Sequence, residues 1–196
     1  MLPSHNQQER IILGIDPGTN IMGYGLLHCN DKSFSLMNTG IVHLSKLKNQ
    51  SDKLKMIFER SIYLIDTYKP VELAIEAPFY GNNIQSMLKL GRAQGIAIAA
   101  ALSRDIPVFE YAPRKIKQSI TGNGAASKEQ VAQMLQVLCK FDEMPSYLDA
   151  TDGLAVAVCH FFQGKALNHN LKQPKTKSKS NSWSDFVKSN PNRKID

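Results

Sequence analysis

The stretch Ile11-Ile12-Leu13-Gly14-Ile15-Asp16-Pro17-Gly18 constrains this chain more than any other. Its almost unbroken apolar run fits a strand covered on both faces. The run stops on an aspartate, and Pro17-Gly18 turns the chain at once. A carboxylate at the end of a central strand is held at the rim of a sheet, where an apolar setting without a partner would be costly. Read alone, Asp16 suits a turn cap as well as a functional group. What matters is whether other carboxylates converge on it.

The order of elements allows that. Gly23-Tyr24-Gly25-Leu26-Leu27 and residues 34–44 read as two more strands, joined by the polar turn Asn30-Asp31-Lys32. Leu54, Ile57, Phe58, Ser61, Ile65 and Tyr68 keep helical spacing until Pro70 stops it. Leu73-Ala74-Ile75-Glu76 is a fourth strand, again short, apolar and ending on a carboxylate. Residues 84–102 predict a long helix, apolar on nearly all sides through Leu88, Leu90, Gly91, Gly95, Ile96, Ile98, Ala99 and Leu102. Such a helix is expected to be buried on more than one face. Its small residues suit a subunit interface and equally a single thick core. Val108-Phe109-Glu110-Tyr111 is a fifth strand. Ser127 and Gln130 form a capping box ahead of a buried stripe of Val131, Met134, Leu135 and Leu138. A final helix begins near Ser146. Cys159 and His160 complete its apolar face, with His160 two turns from Asp152 and too distant to share a metal. The expected fold class is α/β, a five-stranded mixed β-sheet flanked by α-helices.

Asp149 and Asp152, three apart, share one face of that last helix. Asp149 is explained by capping alone, three residues after an N-cap serine. Asp152 is less easily explained, because the surrounding segment is small and apolar. If the two strands ending on Asp16 and Glu76 are neighbours under this helix, four carboxylates meet at one edge. Four like charges cannot all stay ionised there without cations. An all-oxygen set suits Mg²⁺ or Mn²⁺ rather than Zn²⁺. Two such ions, roughly 3.5 to 4 Å apart, would stabilise both the attacking and the leaving oxygen of an in-line phosphoryl displacement.

Composition narrows the setting. With 196 residues, 42% of them apolar, one domain with a substantial core is expected. No apolar run reaches the roughly 18 residues needed to cross a membrane. Cys29, Cys139 and Cys159 show no pairing motif, which points to a reducing, cytoplasmic setting without a disulfide framework or structural zinc. The net charge is +7, yet residues 171–196 alone carry seven Lys or Arg against two Asp. A near-neutral body with a basic end suggests a polyanionic partner. The expected division is a flexible N-terminus 1–9, a folded domain 10–165 and a basic, disordered tail 166–196.

Six motifs now stand in order: Gly14-Ile15-Asp16-Pro17-Gly18 with Gly23-Tyr24-Gly25; Ile75-Glu76, Phe79 and Asn83; Tyr111-Ala112-Pro113 with Lys117; Gly122, Gly124, Ala126 and Lys128; and Asp149-Ala150 with Asp152. On these residues the chain resembles the RuvC family of bacterial Holliday junction resolvases over residues 11–160. The resemblance implies an RNase H-like fold and a homodimer that cuts four-way DNA junctions symmetrically with Mg²⁺ in recombination and repair. It implies catalytic, metal-holding roles for Asp16, Glu76, Asp149 and Asp152, DNA contacts by Lys117 and Lys128, and the branch-migration proteins RuvA and RuvB as partners. The chain departs from the pattern at Ala77-Pro78, at Gly153 where alanine is usual, and at Arg92-Ala93-Gln94, which runs in reverse.

Other readings stand beside it. By composition alone, Arg114, Lys115, Lys117 and Lys128 are a solvated surface. Next to the Gly122-Asn123-Gly124 turn and a helix start, they also suit phosphate. Phe79 and Tyr80 are either core plugs or a platform for an unpaired base. Gly-Ile-Asp-Pro-Gly also looks like the first phosphate motif of actin-like ATPases and sugar kinases, which need a second domain and a second glycine-rich turn. A non-catalytic junction-binding protein is the remaining alternative. It would have no use for four acids that repel DNA.

Overall fold

The computed structural model describes residues 9–78, 83–141 and 148–172. Residues 1–165 form one compact unit and 166–196 a second. Strands β1 (Arg10–Asp16), β2 (Ile21–Cys29), β3 (Phe34–His43), β4 (Glu72–Glu76) and β5 (Val108–Tyr111) make one sheet in the order β3-β2-β1-β4-β5. β1 is antiparallel to β2 and parallel to β4, so it is the central strand of a mixed sheet. Helices α1 (Gln50–Tyr68), α2 (Ile84–Leu102), α3 (Pro113–Thr121), α4 (Lys128–Cys139) and α5 (Asp149–Lys172) complete it.

The pleat explains why β1 is apolar throughout. Ile12 joins a core with Ile116 and Ile120 of α3, Val131 and Leu135 of α4, and Leu154, Val156, Val158 and Phe161 of α5. Leu13 and Ile15 join a second core with Ile57, Leu64 and Ile65 of α1 and Ala93, Ala97 and Ala101 of α2. On the first face, Leu154, Val156, Val158 and Phe161 are at most 1% exposed, and burial of each contributes about 1.5 to 3 kcal/mol.

Helix α5 sits unusually close to the sheet. Gly14 and Gly25 are cross-strand neighbours, and the backbone of α5 lies directly against them. A Cβ on Gly14 would stand 2.6 Å from the Ala157 nitrogen, and one on Gly25 would stand 2.8 Å from the Leu154 nitrogen. Gly153 answers from the helix side, where a Cβ would run into the backbone of Tyr24. Glycine at position 153 is therefore a packing requirement of this close contact.

The structure alters several expectations. Helix α2 buries Ala93, Gln94, Ala97, Ala100 and Ala101, but Ile84, Leu88 and Leu102 are more than half exposed, so it is buried on one face only. Its outer stripe is apolar yet not covered by the described residues of the chain's own core. Phe58 and Met134 also lie at the surface rather than in their helices' buried stripes, which are made by Ile57, Ser61, Leu64 and Ile65 in α1 and by Val131, Ala132 and Leu135 in α4. α3 was not foreseen. Pro113 at its first turn and Ile116 and Ile120 four apart are the local signals for it. α4 carries the expected capping box of Ser127 and Gln130. α5 begins at Asp149, so Asp149 opens the helix rather than following a cap by three; Ser146 lies outside the described residues. α5 runs to Lys172, beyond residue 165, and the remainder of the basic end lies outside them too. Among the described residues, no helix is long and apolar enough to cross a membrane.

Candidate active site

The site follows from strand register. Ile15 of β1 pairs with Ile75 of parallel β4, so Asp16 and Glu76 come next, side by side where both strands end. Above them lies the first turn of α5, held down by the Thr39 hydroxyl of β3, 2.8 Å from the Ala150 carbonyl. That places Asp152 in the same cleft as Asp16 and Glu76. Lys117 from α3 and Lys128 from α4 line the same cleft. Asp149 stands at the margin, its carboxylate 3.4 Å from the Lys128 ammonium, and Asp152 is 2.6 Å from the same ammonium. The structure thus brings Asp16, Glu76, Asp152, Lys117 and Lys128 together, with Asp149 one step out. Phe79 and Tyr80 lie outside the described residues.

Crowding shows in the proton affinities. Burial first, then the charges of Asp152 and Asp149 against the opposing Lys128, raises Asp16 to about 6. Burial again, then Asp16 and Asp152, raises Glu76 to about 8, with Lys128 and Lys117 pulling the other way. Burial lowers the Lys128 ammonium, but its bonds to Asp152 and Asp149 outweigh that, and the net shift is upward.

The donors are all carboxylate oxygens, the chemistry of a hard divalent cation. As they stand, however, no three acidic, His or Cys side chains among the described residues are grouped closely enough to hold one ion. Two of the acids face a lysine instead.

Two supports escaped the sequence reading. Gln94, 7% exposed, reaches from α2 to Glu110, with Nε2 2.7 Å from its carboxylate and 3.5 Å from the Glu76 carbonyl. It braces the point where β4 leaves the sheet. His160 is more than apolar filling. Its Nδ1 is 2.6 Å from the Tyr111 hydroxyl and its Nε2 is 3.2 Å from Glu72, which in turn faces Arg10 at 3.6 Å. This buried chain ties α5 to β4 and β5, and burial pushes the Tyr111 hydroxyl up to about 12. A histidine within an apolar helix face was the sequence's one sign of it.

Comparison with known proteins gives one consistent result. A family model described as crossover junction endodeoxyribonuclease RuvC matches residues 12–160. A protein of that name from Cytophaga hutchinsonii is 57% identical over 94% of this chain and 88% of its own length. One from Bacteroides fragilis is 55% identical over 95% of this chain and 96% of its own. Among solved structures, Thermus thermophilus RuvC in complex with a Holliday junction substrate superposes with a TM-score of 0.74 at 28% identity. That match covers 80% of this chain and 96% of the other.

Proposed function

Because the chain belongs to the RuvC family of crossover junction endodeoxyribonucleases, we propose that it cuts four-way DNA junctions in the cleft between β1, β4 and α5. The chain is a Holliday junction-resolving endonuclease of an RNase H-like fold, dependent on divalent metal. The observation that carries the assignment to this cleft is the meeting of Asp16, Glu76 and Asp152 with Lys117 and Lys128 at one sheet edge. A protein that only binds DNA gains nothing from buried acids there, since they repel phosphate. The relatives reported above match over nearly their whole length and are endonucleases, which leaves the ATPase alternative without support.

Asp16, Glu76 and Asp152 are the residues that would hold Mg²⁺, with Mn²⁺ able to substitute and Asp149 completing a set for two ions. Bound there, the cation supplies Lewis-acid stabilisation of the charge that builds on phosphate oxygens. The chain's own residues do the rest. Lys117 and Lys128 draw the backbone phosphate to the acids. Phe79, three residues after Glu76, stacks on an unpaired base near the junction centre. Ile84, Leu88 and Leu102 fall on one stripe of α2 with Gly91 and Gly95, beside which an added Cβ would meet nothing within 4 Å. That stripe supports a homodimer, which symmetric cutting requires. RuvA and RuvB in the cytoplasm are the partners this reading carries.

The test is a synthetic four-way junction incubated with the protein and Mg²⁺, with cuts mapped on all four strands. Paired cuts at symmetric positions on opposing strands are expected. Cutting of plain duplex at the same rate, or asymmetric single cuts, would refute the reading.

A further inference from the structure

Lys128 does something that neither phosphate binding nor family membership explains. Its ammonium lies 2.6 Å from Asp152 and 3.4 Å from Asp149, inside hydrogen-bonding range of two of the four acids. It is placed there firmly at its root. Lys128 is the first residue of α4, immediately after a Ser127 cap whose side chain and that of Gln130 bond reciprocally to each other's backbone nitrogens. Its side chain is about half exposed at 53%, so the tip can leave without disturbing the core.

We propose that Lys128 is an exchangeable internal counter-ion, which holds Asp149 and Asp152 in the metal-free protein and is displaced when a divalent cation enters. This rests on the cleft being the metal site. Three observations converge on it. The acids form no ion-holding group among the described residues as they stand. The lysine occupies the oxygens that such a group would need. Lys128 is, with Lys117, one of two lysines that line the same cleft as Asp16, Glu76 and Asp152. An ammonium and a divalent ion cannot both take the same oxygen of Asp152. Metal entry must therefore free the lysine, whose next ligand is an arriving phosphate. Because binding free energies are reciprocal, the metal and the DNA backbone then assist one another through this side chain.

The experiment measures Mn²⁺ affinity without DNA, by electron paramagnetic resonance of the free ion, for the full chain and four variants. Lys128→Met and Lys128→Gln each remove the competitor and should bind Mn²⁺ about three- to tenfold more tightly, the scale of a charge-assisted contact partly open to water. Lys117→Met removes a like charge from the cleft without touching a carboxylate hydrogen bond, so its gain should be clearly smaller. Asp152→Asn should lose Mn²⁺. Unchanged or weaker Mn²⁺ binding in both Lys128 variants overturns the proposal. A gain in Lys117→Met equal to theirs also does so, by reducing the effect to general charge. If Asp152→Asn binds Mn²⁺ like the parent, the metal site itself is wrong and the proposal falls with it; loss there without a gain at Lys128 overturns the exchange alone.

Discussion

Glu76→Gln should make the metal-free protein more stable, and only at neutral and alkaline pH. The substitution keeps the shape of the side chain and removes a charge that the folded state resists. Glu76 has an ordinary value of 4.5 and stands at about 8 in the fold, chiefly through burial and then through Asp16 and Asp152. The folded chain therefore holds this proton more tightly than the unfolded chain does. Below pH 4.5 both states are protonated and the cost is nil. As pH rises from 4.5 to 8, the unfolded chain ionises freely while the folded one resists, so stability falls throughout that window and levels off above it. Taken at face value the full shift amounts to about 5 kcal/mol at pH 8.5. Glu76 is only half-buried and shares its titration with Asp16, so roughly 2 kcal/mol is the expected gain. The assay is urea unfolding in EDTA at pH 5.0, 7.0 and 8.5. The parent and variant should coincide near pH 5 and diverge upward in pH. Parallel curves, or a variant no more stable at pH 8.5, would refute the reasoning about the cleft.

Asp152→Asn should abolish cutting while four-way junction binding in a gel-shift assay is kept or tightened; a near-parental cutting rate removes Asp152 from the site. Gly25→Ala should lower stability by about 1 to 3 kcal/mol or more, because its methyl group would meet the backbone of Leu154, and an unchanged melting temperature would contradict the close seat of α5. Phe79→Ala should slow cutting with little change in melting temperature, since stacking on one base is worth about 1 to 3 kcal/mol; a large fall in melting temperature would make Phe79 a core residue. Deleting residues 173–196 should weaken binding to any DNA at low salt and flatten the salt dependence by about 0.9 in log–log slope per phosphate released, leaving the preference for four-way junctions nearly unchanged. An identical slope would show that the basic end is not a DNA arm.

Local patterns were enough for the strands and most helices, and they marked the acids as candidates. β1 and β4 announce themselves because a strand buried on both faces must be apolar throughout, and the carboxylates that end them break that pattern abruptly. The capping box at Ser127 is equally local, set by residues three apart. α2 shows where such reading fails. Apolar residues on all sides say that both faces are to be covered, but they do not say whether the cover is the chain's own core, and Ile84 and Leu88 turned out to face outward. The register that sets Asp16 beside Glu76 comes from β1 and β4 pairing across some 60 residues of chain, a distance at which no local pattern speaks. Gly14, Gly23, Gly25 and Gly153 look like ordinary glycines in a sequence, and only the packing shows that their missing side chains let α5 lower Asp152 into the cleft. The grip of Lys128 on Asp149 and Asp152 joins residues 21 and 24 positions apart on two helices. Charge, spacing and the family resemblance named the candidates; the three-dimensional fold decided which of them touch, because contact energy depends on distance in space and not along the chain.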